Sequence, residues 1–315
     1  MSDTDIAESS ASPSPVPRKP TVALALGGGG AKGLAHIGAI EEIERQGYRI
    51  VAIAGTSMGA LIGGIYATGK LDAYRDWVSA LAKMDVLKLV DWTFSGGGLI
   101  KGERIIETMR ELVGDAQIED LPLAYTAVAT DLDREREVWL TRGSLFDAIR
   151  ASIAIPTVFR PQNLDGRRLV DGGLLNPVPV TPLIREPADY LFAVSVDGAI
   201  EAMTPDVPGD QSADAYNGYR RRIGEFIGRL IPHGETKEVE PKPRDPGMLD
   251  LLTQSMDLMQ ANLARLRLAA YAPDLLIQLP RNISTAYEFY RARELIELGR
   301  ARACEVLTAW KPPHY

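Results

Sequence analysis

The chain has 315 residues, of which 45% are hydrophobic and 24% charged, the ordinary balance of a folded globular protein. Its net charge of -7 would repel a phosphate backbone, so we expect no nucleic-acid partner. The single cysteine, Cys304, excludes an internal disulfide, and no Cys/His cluster has the spacing of a zinc site, so we expect no bound metal and a reducing, cytoplasmic location.

Residues 1–20 are acidic and then rich in Ser and Pro, which predicts a disordered tail ahead of one folded domain over residues 21–315. The tail lacks the basic start and the apolar run of a secretory signal. No stretch reaches the ~18 consecutive apolar residues of a transmembrane helix. Any membrane contact is therefore expected to be peripheral.

Strand and helix patterns then alternate along the chain. Residues 21–26 form a short apolar run typical of a buried strand, and apolar residues recur every three positions over 31–46, which predicts a helix. A second apolar run at 50–54 leads into a small, apolar helix at 60–68. Further strands are predicted at 123–130, 138–141, 190–196 and 274–279. This alternation predicts an α/β layered fold with a mostly parallel, buried sheet.

The last third of the chain changes character. Residues 198–247, rich in Pro, Gly and acidic residues, predict an insertion or lid rather than a second core. Inside it, residues 219–232 combine three arginines with an apolar helical face, which fits either a mobile lid touching anionic lipid or an ordinary packed surface helix. Residues 248–315 are predicted to add helices and a strand. Their apolar side chains step by three and four along one helical face over 249–270, and a second long helix spans about 287–310.

Gly55-Thr56-Ser57-Met58-Gly59 is a G-x-S-x-G motif between a predicted strand and a predicted helix. In that context the flanking glycines let the chain turn sharply enough for the serine to project as a nucleophile. The position of Ser57 at a helix N-terminus favours negative charge on or beside its oxygen. The alternative is a Gly/Ser turn that only links the strand to the helix.

Gly28-Gly29-Gly30-Ala31-Lys32-Gly33 matches G-x-G-x-x-G after a strand and before a helix, the pattern of a dinucleotide-binding loop. Dinucleotide binding also requires an acidic residue at the end of the second strand, where this chain has Gly55-Thr56-Ser57. A P-loop is excluded because no Gly-Lys-Ser/Thr closes the glycine run. We predict that the backbone amides of Gly28, Gly29 and Gly30 form an oxyanion hole, with a flexible turn as the alternative.

A nucleophilic serine needs a base, and three histidines could supply an imidazole. His36 lies in the helix after the glycine loop, His233 in the Pro/Gly-rich insertion and His314 one residue from the chain end. None is well placed beside the serine motif. Only His36 is expected to have a supporting role, near the glycine loop.

Asp171 is a better candidate for the base. It ends a predicted hairpin at 162–171, and Gly172 and Gly173 after it allow another backbone to approach closely. Burial in an apolar site would raise its pKa from the ordinary aspartate value into a useful range. From spacing alone, however, an Asp-Gly turn explains Asp171 equally well.

Together these motifs resemble those of the patatin-like phospholipase family, whose members carry a G-x-G-x-x-G loop, a G-x-S-x-G elbow and a later D-G-[AG]. The segments 151–161 and 171–177 are also similar to that family's, and the resemblance covers about residues 20–197. It is nearest to the bacterial branch, which is similar to the catalytic region of neuropathy-target-esterase-like lysophospholipases. The resemblance implies a three-layer α/β/α fold and a Ser-Asp dyad without histidine.

The resemblance also implies the chemistry. Asp171 would take the proton of Ser57, Ser57 would attack a fatty-acyl ester carbonyl of a phospholipid or lysophospholipid, and the amides of the glycine loop would hold the oxyanion. Water activated by Asp171 would then release the acyl group from Ser57, without a metal or an organic cofactor. The remaining motif glycines that would shape the site are Gly33, Gly55, Gly59, Gly172 and Gly173.

Other activities remain as alternatives. The same dyad could pass the acyl group to another alcohol, which would make the chain a transacylase. A Ser-His acyltransferase would need a histidine beside the nucleophile, where Thr56 stands. A dinucleotide-binding protein that uses the glycine loop is the alternative from a different class, and the missing acidic residue disfavours it.

Overall fold

The computed structural model describes residues 18–88, 102–156, 158–201 and 248–312. The strands of these residues form one sheet and are β1 (Thr21–Leu26), β2 (Arg49–Thr56), β3 (Ala124–Asp131), β4 (Arg136–Leu140), β5 (Gln162–Leu164), β6 (Arg167–Asp171), β7 (Tyr190–Gly198) and β8 (Leu275–Pro280). The α-helices of these residues are α1 (Ala35–Arg45), α2 (Met58–Ala67), α3 (Leu71–Ala80), α4 (Lys83–Lys88), α5 (Glu103–Val113), α6 (Leu145–Ser152), α7 (Met248–Ala270) and α8 (Ala292–Ala309). A short 3-10 helix, Gly30–Leu34, leads into α1.

The sheet is mostly parallel, as predicted. Its strand order is β5-β6-β3-β2-β1-β7-β8, and β4 also pairs with β3. The five strands β1, β2, β3, β7 and β8 pair in parallel, whereas β4, β5 and β6 pair antiparallel. The predicted strands are confirmed, including both strands of the hairpin. Its turn residues Asp165 and Gly166 have φ angles of 50° and 68°, which is the backbone of a type I′ turn.

Alternate residues of β1 point to opposite faces of the sheet and differ in size. Leu24 and Leu26 are buried in a core cluster that includes residues of α1, α2 and α8. Ala23 and Ala25 belong to a second cluster, on the other face of the sheet, and this cluster also contains Ala264 of α7. Burying each leucine contributes roughly 1.5–3 kcal/mol. Helices therefore cover both faces of the sheet, which confirms the three-layer α/β/α architecture.

The helix predicted over 249–270 is confirmed as α7, but several of its large apolar side chains are exposed, while Leu268 packs into the core. Met259 and Leu266 are 70% and 69% exposed, whereas Ala261 and Ala264 are buried. The sheet face beneath α7 is rich in alanine, so the side of the helix that carries Ala261 and Ala264 packs closely against it. Three further exposed side chains of α7 are Leu251, Leu252 and Leu258.

The second long helix predicted over 287–310 is α8, which a 3-10 turn, Phe289–Arg291, precedes. Most of the predicted insertion at 198–247 lies outside the described residues, and so does the whole of 219–232. Residues 1–17 of the predicted tail also lie outside them.

Candidate active site

Strands β2 and β6 meet end to end along one edge of β3. Thr56 of β2 pairs with Val128, and Asp171 of β6 pairs with Ala129, the next residue of β3. Strand β4 pairs with the same part of β3 and therefore occupies its opposite edge. Ser57 follows directly after β2, so the meeting of the two strand ends brings Ser57 and Asp171 together, although they are far apart in the sequence.

Ser57 occupies a sharp turn between β2 and α2, as the motif predicts. Its φ of 54° and ψ of -120° are rare for a residue with a side chain, and such strain is common at functional sites. A Cβ on Gly55 would lie 2.4 Å from the nitrogen of Ala60, and a Cβ on Gly59 would lie 2.1 Å from the oxygen of Leu26. Glycine is therefore required on both sides of Ser57 for the turn to close.

Asp171 is 3% exposed, and its carboxylate interacts with the side chain of Ser57. One carboxylate oxygen accepts the backbone amide of Gly173 at 2.7 Å. Burial raises the pKa of Asp171 from 3.8 to about 6, although the hydrogen bonds with Ser57 and Gly173 act to lower it. A Cβ on Gly172 would lie 2.2 Å from the oxygen of Val128, so this glycine lets Asp171 approach β3. The carboxylate is thus ionised at neutral pH and more basic than an ordinary aspartate.

The raised pKa of Asp171 predicts a pH-dependent stability change in Asp171→Asn. The folded state binds this proton more tightly than the unfolded state, so the stability contributed by Asp171 is complete below pH 3.8 and is lost as the pH rises through about 6. Asparagine cannot ionise, and the variant should therefore exceed the wild type by up to about 3 kcal/mol in free energy of unfolding near pH 7.5. Urea unfolding over about pH 4 to 8 measures this difference, and a difference that is constant with pH would contradict the assignment.

The glycine loop lies against the nucleophile turn. A Cβ on Gly28 would be 3.5 Å from the Cβ of Ser57. The amide of Gly28 already donates to the carbonyl of Pro177 at 3.0 Å, which corrects the prediction that it binds an oxyanion. Gly29 and Gly30 have φ angles of 142° and 57°, and within the described residues their amides donate to no protein acceptor. Of the three predicted donors, these two remain able to bind a negative oxygen.

The segment that follows Asp171 holds the other two motifs in place. The carbonyl of Asn176 accepts the buried hydroxyl of Thr56 at 2.7 Å, next to the nucleophile. The carbonyl of Pro177 accepts the amide of Gly28 in the glycine loop. Two consecutive carbonyls therefore fix both the nucleophile turn and the glycine loop relative to Asp171.

A second set of contacts joins the end of α6 to Ser57 and Asp171. The hydroxyl of Ser152 accepts the backbone amide of Ser57 at 2.9 Å and donates to the carbonyl of Val128 at 2.6 Å. The carbonyl of Ala154 accepts the backbone amide of Asp171 at 3.0 Å. Sequence reasoning assigned no role to these residues, because the sole signal was the general similarity of segment 151–161 to one protein family.

His36 is completely buried beneath the glycine loop, with its Nε2 2.8 Å from the carbonyl oxygen of Gly27. Burial lowers the pKa of His36 to about 4, against the raising effect of that hydrogen bond, so the neutral ring donates from Nε2. The geometry agrees with the expected supporting role near the loop. His233 and His314 lie outside the described residues.

Lys32 links the glycine loop to β7. Its Nζ lies 3.2 Å from the carboxylate of Asp197, and both side chains are nearly buried. Asp257 of α7 lies close to this pair. The net effect on its pKa is a rise, caused mainly by burial. The charge of Lys32 acts to lower this pKa, and the charge of Asp197 acts to raise it. A Cβ on Gly33 would lie 2.4 Å from the Cγ of Met58, so this glycine allows the loop to pack on α2.

Across the described residues, no group of three His, Cys, Asp or Glu side chains could hold a metal ion. A cavity of about 430 Å³ borders Ala23 and Tyr190. It lies at the amino ends of β1 and β7, whereas Ser57 lies near the carboxyl end of β1. The cavity is therefore separate from the Ser57–Asp171 pair.

The fold and the paired motifs are those of a lipid ester hydrolase. The sequence profile described as Patatin-like phospholipase matches residues 24–184, and the chain belongs to this family. An uncharacterized NTE family protein of Mycobacterium tuberculosis (strain ATCC 25618 / H37Rv) is 38% identical over 333 residues, which cover 93% of this chain and 92% of that protein.

More distant similarities extend to fungi and to a solved structure. Lysophospholipase NTE1 of Yarrowia lipolytica is 33% identical over 247 residues, which cover 72% of this chain and 17% of the fungal protein. The crystal structure of VipD from Legionella pneumophila has a TM-score of 0.44 and 14% identity, with 93% of this chain and 67% of that chain covered. None of the helices within the described ranges is long and apolar enough to cross a membrane.

Proposed function

We propose that Ser57 and Asp171 form a catalytic dyad that cleaves fatty-acyl esters through an acyl-serine intermediate. The observation that carries the proposal is a buried carboxylate, with its pKa raised to about 6, that interacts with the side chain of a serine in a strained strand-to-helix turn. The nearby amides of Gly29 and Gly30 support it, because they lack protein acceptors among the described residues. Membership of the patatin-like phospholipase family agrees with this chemistry.

In the proposed acylation step, Asp171 accepts the proton of the Ser57 hydroxyl as the Ser57 Oγ attacks the ester carbonyl carbon. The carbonyl oxygen becomes negative and accepts hydrogen bonds from the amides of Gly29 and Gly30. The N-terminus of α2 adds a favourable field at the same place. Collapse of the intermediate expels the alcohol, which takes the proton from Asp171, and leaves the acyl group on Ser57.

Deacylation repeats these steps with water as the attacking group. Asp171 accepts a proton from water, the resulting oxygen nucleophile attacks the acyl carbonyl, and the same amides hold the negative oxygen. Collapse releases the fatty acid, and the proton returns from Asp171 to Ser57. If another alcohol enters in place of water, the same steps give a transacylase.

We assign phospholipids or lysophospholipids as the substrate class, since the family is described as phospholipases and fungal relatives are named lysophospholipases. Lipid mass spectrometry after incubation with each lipid class tests this assignment. The expected products are a free fatty acid and the deacylated lipid. Acylated alcohol without free fatty acid would favour transacylation, and absence of any acyl product would overturn the assigned substrate class.

The proposal includes peripheral contact between α7 and the lipid surface that holds the substrate. The exposed side of α7 carries the apolar side chains Leu251, Leu252, Leu258, Met259 and Leu266. A different side of the helix packs against the loop after Asp171, because a Cβ on Gly173 would lie 3.1 Å from the side-chain nitrogen of Gln260. A helix with its side chains is about 10 Å across, so Leu258 and Met259, the exposed apolar residues nearest to Gln260, lie within roughly that distance of the Asp171 loop. An apolar surface beside the site fits the acyl region of a bilayer.

The double variant Met259→Glu/Leu266→Glu tests this contact. Two carboxylates on the apolar side should lower hydrolysis of phospholipid vesicles by about tenfold or more, because each would be desolvated at the lipid surface. Hydrolysis of the soluble ester p-nitrophenyl butyrate should change by less than about twofold. Ile184→Glu, at another exposed apolar residue beside the separate cavity, is the matched control. An equal loss on both substrates would argue against the lipid contact.

A further inference from the structure

We infer that Ser152 is a positioning residue that sets the geometry of the proposed dyad, an inference that rests on the proposed function. Ser152 is completely buried at the end of α6. Its hydroxyl carries one proton, which it donates to the carbonyl of Val128 at 2.6 Å. A lone pair is thereby turned to the backbone amide of Ser57, at 2.9 Å. The nucleophile is therefore held through its own main chain.

The same turn of chain also holds the proposed base. Two residues after Ser152, the carbonyl of Ala154 accepts the amide of Asp171 at 3.0 Å. One short segment therefore binds the main-chain nitrogen of both dyad residues, and its rigidity sets the separation of Ser57 and Asp171. The contact matters most at Ser57, because its φ of 54° is strained and needs neighbours that maintain it.

The bond also determines which amides can stabilise the oxyanion. With its N–H directed to Ser152, Ser57 cannot turn this amide to the substrate carbonyl. The negative oxygen therefore depends on other amides, among them those of Gly29 and Gly30. Removal of the Ser152 hydroxyl leaves two buried backbone groups, the amide of Ser57 and the carbonyl of Val128, without this partner. The nucleophile turn should relax to pair them elsewhere and move the Ser57 Oγ.

The test is the kinetics of Ser152→Ala on p-nitrophenyl butyrate. A displacement of about 1 Å can cost about 10²-fold in rate, so we expect kcat to fall by about 10- to 100-fold while KM stays within about twofold. The matched control is Ser144→Ala at the other end of α6, where the hydroxyl caps the helix by accepting the amide of Asp147 at 3.3 Å. Loss of that cap should lower the stability of α6 but leave kcat and KM unchanged.

Ser152→Cys provides a second variant with a side chain of similar shape and a much weaker acceptor atom. Its kcat should also fall by about tenfold or more, and it replaces the alanine variant if that variant does not fold. A kcat for the folded Ser152 variant within about twofold of the Ser144→Ala value would overturn the inference, as would a loss seen entirely in KM. Ser57→Ala separates the proposed dyad from the positioning role of Ser152. Activity that survives in Ser57→Ala refutes the dyad itself. An inactive Ser57→Ala together with a fully active Ser152 variant refutes only the positioning role.

Discussion

Ser57→Ala is expected to lower kcat for ester hydrolysis by at least about 10⁴-fold, since the proposed mechanism passes through a covalent bond to the Ser57 Oγ. The substitution deletes a single oxygen from a residue that is 5% exposed and keeps the backbone amide that binds Ser152. We therefore expect the fold to be retained. Steady-state hydrolysis of p-nitrophenyl butyrate and of a lysophospholipid, with circular dichroism to check folding, measures the effect.

Ser144→Ala is the control for loss of a serine hydroxyl outside the site. It should hydrolyse both substrates at the wild-type rate. A Ser57→Ala variant that keeps more than about 1% of the wild-type kcat would mean that the main nucleophile is another group.

Asp171→Asn is expected to lower kcat/KM by about 10²- to 10⁴-fold at neutral pH, the range for loss of a general base. The amide keeps the shape of the carboxylate and an oxygen for the Gly173 amide, but it cannot accept the proton of Ser57. For the wild type, kcat/KM should rise with pH and level off above about 6, because burial raises the pKa of Asp171 to about 6 and the ionised form is the base. This rising limb should disappear in Asp171→Asn.

Asp131→Asn is the matched control for the pH profile. Asp131 is also buried, on the neighbouring strand β3, and forms an ion pair with Arg134 at 3.4 Å. Its substitution should lower stability without moving the limb near pH 6. A limb near pH 6 that persists in Asp171→Asn would identify another base. His36 would not be that base, because its pKa is lowered to about 4.

Loss of activity and gain of stability should therefore occur together in Asp171→Asn. The buried carboxylate costs free energy at neutral pH in the folded state, and the same burial gives it the basicity that the proposed reaction needs. Such opposing effects of one substitution are common where a residue is retained for function rather than for folding.

Local sequence patterns predicted most of the architecture. Apolar runs and the period of the helices located β1, β2, α1 and α2, and Asp165-Gly166 located the hairpin that ends at Asp171. These features depend on neighbouring residues, which is why one sequence suffices to predict them. The order of the strands, and with it the end-to-end meeting of β2 and β6, depends on contacts between distant segments and was not predictable in this way.

What the sequence-based predictions missed also depends on contacts between distant segments of the chain. The apolar stripe of α7 was visible in the sequence, but which side faces the sheet depends on the alanine surface beneath the helix. The predicted donor Gly28 is engaged by Pro177, a contact between residues about half the chain apart. Ser152 reaches Ser57 across 95 residues, and the hydroxyl of Thr56 reaches Asn176 across 120. Hydrogen bonds to distant main-chain groups leave no periodic pattern in a sequence.

The most direct test of the central claim is to map the site of covalent attachment of a fluorophosphonate probe by peptide mass spectrometry, with the labelling rate measured in the wild type and in Asp171→Asn. We predict that the probe attaches to Ser57 and that labelling is about 10²-fold slower or more in Asp171→Asn. Attachment to a different residue, or an unchanged labelling rate without the Asp171 carboxylate, would contradict a Ser57–Asp171 dyad.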